Sequence, residues 1–122
     1  MKSILTIAIL LLSYSIANAQ IGEVKVEGSN AKIYNENGGY TGNSISLCSS
    51  CSVAGYNSKY IVIIYGSNAQ IYNDQGGNTG NTISLCESCY VKKVTSSAIL
   101  IKEGGFTKYY NFKGGLIDTK SD

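Results

Sequence analysis

The 122-residue sequence contains no histidine, no proline and no tryptophan, and neither sign of charge is clustered in a run. Without histidine, the chain lacks the commonest general base and the commonest neutral metal ligand, and none of its serines has a histidine to activate it as a nucleophile. The formal net charge of +2, from 10 basic and 8 acidic residues, is too weak a field to indicate a nucleic-acid partner. We therefore expect a protein that is not an enzyme, needs no cofactor and does not bind nucleic acid.

The first 19 residues have the three parts of a secretory signal peptide. Lys2 supplies a positive charge, residues 4–12 supply an apolar stretch, and Ala17-Asn18-Ala19 matches the A-x-A cleavage pattern. The apolar stretch is well short of the roughly 20 residues that span a bilayer, and the sequence predicts no membrane span in the mature chain. We expect residues 1–19 to be removed and residues 20–122 to form one domain that is secreted, periplasmic or held at the cell surface.

What the mature region does contain is an internal repeat of 38 residues. "SNAKIYNENGGYTGNSISLCSSC", which begins at Ser29, returns as "SNAQIYNDQGGNTGNTISLCESC", which begins at Ser67. A third, truncated copy aligns Tyr110 and Asn111 with earlier tyrosine and asparagine residues. The copies span about 22–59, 60–97 and 98–122, and a period of this length is typical of repeat architectures.

Each copy has the alternation and turn residues of short strands, and no helical periodicity follows the leader. Asn37-Gly38 predicts a type I′ hairpin turn, in which both central residues have positive φ. The sequence therefore predicts an all-β domain of consecutive antiparallel hairpins. It leaves three architectures open: a meander rolled into a barrel or sandwich, which we favour, a β-trefoil, and a propeller-like array that would need an oligomer to close.

The first strand of the second copy, Tyr60 to Tyr65, is apolar on both faces, whereas its counterpart in the first copy alternates valine with charged residues. This pattern predicts a central strand that is covered on each side, or else a subunit contact. An uncovered strand of this kind would be prone to aggregation. Self-association through Tyr60 to Tyr65 is therefore one predicted interaction.

Two C-x-x-C pairs, Cys48 with Cys51 and Cys86 with Cys89, lie at equivalent positions of the first two copies. We favour a local disulfide within each pair, because a two-residue turn brings the two cysteines of a hairpin face to face. A bridge between copies such as Cys48–Cys86, a Cys₄ metal site and a redox-active pair are the alternatives.

Repeated polar residues supply the candidate ligand-binding groups. The tyrosines Tyr34, Tyr72 and Tyr110 recur on what should be the outward face, each followed by an asparagine: Asn35, Asn73 and Asn111. In one interpretation the tyrosines stack against sugar rings, and several weak sites together give useful affinity through multivalency. In the other, they are cross-strand packing partners. We favour packing, since no tryptophan is available.

Ser67-x₅-Asn73-x-x-Gly76-Gly77-Asn78 resembles half of the repeat of curli-type amyloid subunits, which implies extracellular assembly, although the period and the cysteines differ. Taken together, these features predict an exported, non-enzymatic β-repeat protein with a structural or self-associating role. A lectin-like module that binds carbohydrate or protein, and a metal-binding or redox protein, are the alternative hypotheses.

Overall fold

The computed structural model describes residues 20–122, and the predicted signal peptide lies outside this range. The described chain consists of β-strands joined by turns and contains no helix, which confirms the predicted fold class. The strands are β1 (Ile21–Glu27), β2 (Asn30–Asn35), β3 (Tyr40–Ser46), β4 (Ser52–Tyr56), β5 (Tyr60–Tyr65), β6 (Asn68–Asn73), β7 (Asn78–Ser84), β8 (Tyr90–Val94), β9 (Ile99–Glu103), β10 (Phe106–Tyr110) and β11 (Leu116–Ser121).

The strands form three separate antiparallel sheets, each a meander of sequential neighbours. Sheet 1 has the order β1-β2-β3, sheet 2 the order β4-β5-β6-β7, and sheet 3 the order β8-β9-β10-β11. No sheet closes on itself, so the arrangement is of the sandwich type within the favoured prediction rather than a barrel. The fourth strand of each of the first two copies pairs with the next copy, because β4 pairs with β5 and β8 with β9. Sheet boundaries are therefore displaced from the sequence copies.

The sheets stack face to face, with sheet 2 in the middle. Ile61 and Ile63 of β5 pack with residues of sheet 1 in one core, and Val62 packs with residues of sheet 3 in a second core. Because side chains of a strand alternate between its two faces, one strand supplies both cores. This confirms the central, doubly covered position predicted for Tyr60–Tyr65 and explains why that strand carries no charge.

The outer faces of the stack are polar. On sheet 1, the positions equivalent to Ile61 and Ile63 are Glu23 and Lys25, whose charged groups lie 3.8 Å apart. On the far face of sheet 3, Thr107 donates a hydrogen bond of 2.7 Å to Asp122. Terminal units of repeat proteins need such polar outer faces to remain soluble, so both ends of this stack carry the features of caps.

The Asn37-Gly38 hairpin joins β2 to β3, but the predicted turn type is wrong. Among the described residues positive φ occurs only at glycines, so Asn37 does not adopt it, while Gly38 has φ 83°. The Gly38 amide donates to the Asn35 carbonyl at 3.0 Å, and the Asn35 amide donates to the Gly39 carbonyl at 2.8 Å. The loop is therefore longer than the two residues of a type I′ hairpin, and it consists of a turn followed by one glycine, Gly38, in the left-handed conformation.

A second local motif, Thr-Gly-Asn, shapes the edge strands β3 and β7. Gly42 and Gly80 have φ of 85° and 83° at irregularities in the β2–β3 and β6–β7 pairings. The hydroxyls of Thr41 and Thr79 donate to the Ile33 and Ile71 carbonyls at 2.8 and 2.7 Å. These bulges occupy exposed sheet edges, where bulges discourage pairing between molecules.

Candidate functional site

The three repeated tyrosines do not present equivalent surfaces. Tyr34 lies on the outward face of sheet 1, where its hydroxyl donates to Glu27 at 3.0 Å and its ring lies 4.9 Å from the Lys25 ammonium. Tyr72 packs against the first core and Tyr110 against the second. Stacking of the sheets covers the second and third positions, so the geometry accords with packing for these two and leaves only Tyr34 facing outward.

The asparagines that follow these tyrosines hold the Gly-Gly turns. Asn35 Oδ1 accepts hydrogen bonds from the backbone amides of Asn37 and Gly39 at 2.9 and 3.0 Å. Asn73 and Asn111 make the same pair of bonds to their own turns. Asparagine is favoured at such positions because its side chain reproduces a backbone turn. The carbonyl oxygen that would contact a sugar is therefore already engaged in each copy.

All four cysteines form the two local disulfides, Cys48–Cys51 and Cys86–Cys89, with Cα atoms 4.9 Å apart in each. The local pairing is as predicted, but the predicted hairpin across each cysteine pair is wrong. β3 and β4 lie in different sheets, as do β7 and β8. Each disulfide therefore closes a crossover turn between layers, and it does not set the register of paired strands.

The second disulfide turn borders an open groove, which we call the disulfide groove. Its volume is ≈ 600 Å³, and it is lined by Cys86, Ser88, Glu103, Gly104, Gly105, Phe106, Lys108 and Thr119. The floor is one face of sheet 3, since Phe106 pairs with Glu103 and Lys108 pairs with Thr119. The turn comes from the end of sheet 2, so the groove exists only because the layers stack.

One aromatic ring and one ion pair dominate the groove chemically. The side chain of Phe106 is 50% exposed. The Lys108 ammonium pairs with the Glu103 carboxylate, and this hydrogen bond raises the pKa of Lys108 above its ordinary value. A carboxylate oxygen of Glu103 and the sulfurs of Cys86 and Cys89 lie within 4.8 Å of one another. Because the sulfurs are joined in a disulfide, they are not thiolates, the form in which cysteine binds metals.

The equivalent positions beside the first disulfide are chemically different. Subtracting one period of 38 residues places Tyr65 at the position of Glu103, Asn68 at that of Phe106, and Gln70 at that of Lys108. The framework is thus repeated while the groove residues change. These three residues were not predicted from the sequence. Glu103 and Lys108 recur in the first copy as Glu27 and Lys32, which also form an ion pair. Only Phe106 departs from both earlier copies, and this departure at an exposed position is the signal that could have identified it.

A smaller cleft of ≈ 270 Å³ lies on the other side of the same turn, between Ile64, Leu85, Cys89 and Val91. Tyr90, which follows Cys89, is 55% exposed and borders it. Two concave surfaces, each with an exposed aromatic residue, thus border the same turn. The surface around Cys86–Cys89 is therefore the best candidate site among the described residues.

No protein-family model and no curated protein matches the sequence. Among solved structures, the chain is similar to a protein of unknown function from Bacteroides caccae, with a TM-score of 0.52 and 15% identity. The match covers 84% of this chain and 39% of that one, so this chain spans about two-fifths of the length of its structural neighbour. At this identity the likeness shows the all-β fold alone.

Two observations bear on the environment of the protein. Two disulfides are typical of an oxidising compartment outside the cytosol. Within residues 20–122, no helix has the length and apolar character needed to cross a membrane.

Proposed function

We propose that this chain is an exported, non-enzymatic β-repeat module that binds carbohydrate through the disulfide groove. The observation that carries the proposal is Phe106, an exposed aromatic residue that replaces the asparagine of both earlier copies and lies beside the Lys108–Glu103 ion pair in a concave, solvent-exposed place. Because Phe106 is 50% exposed, half of its apolar surface does not stabilise the fold through burial. An aromatic face flanked by a few polar groups is the usual composition of a small-molecule site.

The groove residues fit a sugar better than a reaction. The Phe106 ring offers an apolar surface for a pyranose face, while Lys108, Glu103 and the hydroxyls of Ser88 and Thr119 are suited to hydrogen-bond sugar hydroxyls. The two titratable groups of the groove pair with each other, and neither has a histidine to form a catalytic dyad. This arrangement supports binding without catalysis.

The polar outer faces favour a binding module over a self-associating one. Tyr60–Tyr65 pairs with β4 on one side and β6 on the other, and both of its faces lie in cores. Both edges of this strand and its central side chains are therefore engaged within the chain, and Tyr65 at its end is 51% exposed. The resemblance to curli-type repeats adds no support for assembly, because the sheets here are antiparallel meanders.

A glycan array probed with the purified, oxidised protein tests this function. Phe106→Asn installs the residue that stands at the same position in the second copy, and we expect it to abolish binding. Asn68→Ala, at the matched position beside the first disulfide, is the control and should bind normally. Failure of the wild-type protein to retain any glycan, or full binding by Phe106→Asn, would refute the assignment.

Export has its own test. Expression in a bacterial host followed by mass spectrometry of the processed chain should give an N-terminus at Gln20, since cleavage follows Ala17-Asn18-Ala19. Recovery of the intact chain from the cytosol with free thiols would contradict both export and the assigned disulfides.

A further inference from the structure

Sheet 1 lacks a strand that the other two sheets possess. Sheets 2 and 3 each begin with a five-residue strand, β4 or β8, that pairs antiparallel with the first strand of the following copy. In sheet 1 this first strand is β1, and within residues 20–122 no strand pairs with its other edge. The repeat therefore specifies a strand position beside β1 that the described chain does not fill.

The unfilled position would extend a column of equivalent strands from successive layers, which consists of β4 in sheet 2 and β8 in sheet 3. β4 lies over β8 so closely that a Cβ atom on Gly55 would stand 2.7 Å from Cγ2 of Val94. The Asn57 side-chain amide also donates to the Thr95 carbonyl at 3.0 Å, across one repeat period of 38 residues. The next member of this column would lie over β4 and beside β1.

The side chains around this position have the exposure expected of an incomplete sheet. Val26 of β1 is 56% exposed, although its cross-strand partner on β2, Ala31, is fully buried. Its counterpart in sheet 2, Ile64, is half-buried and has Ser52 of β4 as an additional neighbour. An apolar side chain is thus left in solvent on the strand that lacks its neighbour.

We propose that the free edge of β1 accepts an extended strand from a partner protein, antiparallel to β1 and lying over β4. The chemistry of the partner strand follows from the strand that fills the same place one layer below. That strand, Ser52–Tyr56, is uncharged and has Ala54 and Gly55 at its centre, and any side chain at Gly55 would press against Val94 of the neighbouring layer. The partner segment is therefore uncharged, extended and small at its centre.

A second copy of this chain is a poorer occupant. Of its edge strands, β1, β8 and β11 carry charged side chains, β3 and β7 carry the Thr-Gly-Asn bulges, and β4 is already stacked over β8 of its own chain. Addition of a strand to an open edge satisfies backbone groups along the whole edge while side-chain pockets supply specificity. The proposal is independent of the disulfide groove, so Phe106→Asn should not affect it.

The test uses a synthetic peptide with the sequence of Ser52–Asn57 as a surrogate for the partner strand. We expect the peptide, added to the purified exported protein, to protect backbone amides of β1 from hydrogen exchange and to shift their NMR signals. A control peptide with leucine at the position of Gly55 should bind at least about ten-fold more weakly. Val26→Lys, which installs the residue found at position 102 of the third copy, should weaken binding of the first peptide.

Three results of the peptide experiment would overturn the proposal. These are no protection of β1 by the peptide at millimolar concentration, equal binding of the two peptides, and protection confined to β3, β7 or β11. Concentration-dependent protection of β1 in the protein alone, together with a dimer in sedimentation, would assign the edge to a second copy and would also overturn it.

Discussion

Replacement of Ile63 by alanine tests whether the middle sheet couples the two cores. Ile63 is 2% exposed and belongs to the core between sheets 1 and 2. The substitution removes three carbon groups, worth about 0.8 kcal/mol each, and leaves a cavity that raises the total to about 3–4 kcal/mol. This is a large fraction of the 5–15 kcal/mol that stabilises a typical domain, so the loss should be obvious in urea unfolding.

The neighbouring substitution Val62→Ala supplies the second half of the test. Val62 is fully buried in the other core, between sheets 2 and 3, and its truncation should cost about 2–3 kcal/mol. Because both residues belong to β5, each variant should shift one and the same unfolding transition. The assay is urea unfolding followed by circular dichroism and by tyrosine fluorescence, with coincident curves expected from the two probes.

A matched surface control separates burial from a general intolerance of substitution. Lys25 holds the position equivalent to Ile63 on sheet 1, and its side chain is 51% exposed. Lys25→Ala should therefore cost less than about 1 kcal/mol. Two separate transitions, with Ile63→Ala moving only the first and Val62→Ala only the second, would refute the coupling. A cost for Ile63→Ala no larger than that for Lys25→Ala would refute the assigned core.

Two further predictions concern a turn and a titrating group. Gly38 and Gly76 have φ of 83° and 80°, but only Gly76 lies against another layer, where a Cβ atom would stand 2.9 Å from the Ser44 carbonyl oxygen. Gly38→Ala should lower the free energy of unfolding by about 1–2 kcal/mol, because alanine disfavours positive φ. Gly76→Ala should lower it further, because the added Cβ atom would also press against the neighbouring layer. Equal losses of stability in urea unfolding would argue against close stacking. The hydrogen bond to Glu27 raises the pKa of Tyr34 above 10.0, so its stabilising contribution is complete below pH 10 and disappears as the pH rises through the folded-state pKa. An NMR titration of the tyrosine ring carbons should show that Glu27→Ala lowers this pKa, and an unchanged value would show that the bond does not form in solution.

Much of the fold followed from local patterns. The strand Tyr60–Tyr65 was predicted with its observed bounds, and its charge-free sequence indicated cover on both faces because a strand with one face in water alternates apolar and polar residues. The local pairing of the cysteines also followed from their spacing. In both cases the relevant interactions join residues that are close in sequence or that belong to one strand.

The candidate site was harder to predict because its parts come from different layers. Phe106 and Lys108 belong to sheet 3, whereas the Cys86–Cys89 turn is joined to sheet 2 on one side and to sheet 3 on the other. From the sequence this turn was predicted to lie within a hairpin, since adjacent strands usually pair. The same holds for the outward position predicted for the repeated tyrosines: Tyr34 faces outward, whereas Tyr72 and Tyr110 pack against the cores because a neighbouring sheet covers them.

By itself, the sequence determined the period of the repeat, the strand-forming segments and the position of the Gly-Gly turns, and it favoured the local disulfides over the alternatives. These depend on backbone preferences and on contacts between near neighbours, and each copy repeats them. Only the tertiary structure decided which strands share a sheet, which faces are covered and where the groove and the open edge of β1 lie. Those features arise from contacts between copies, where identical segments acquire different neighbours according to their place in the stack.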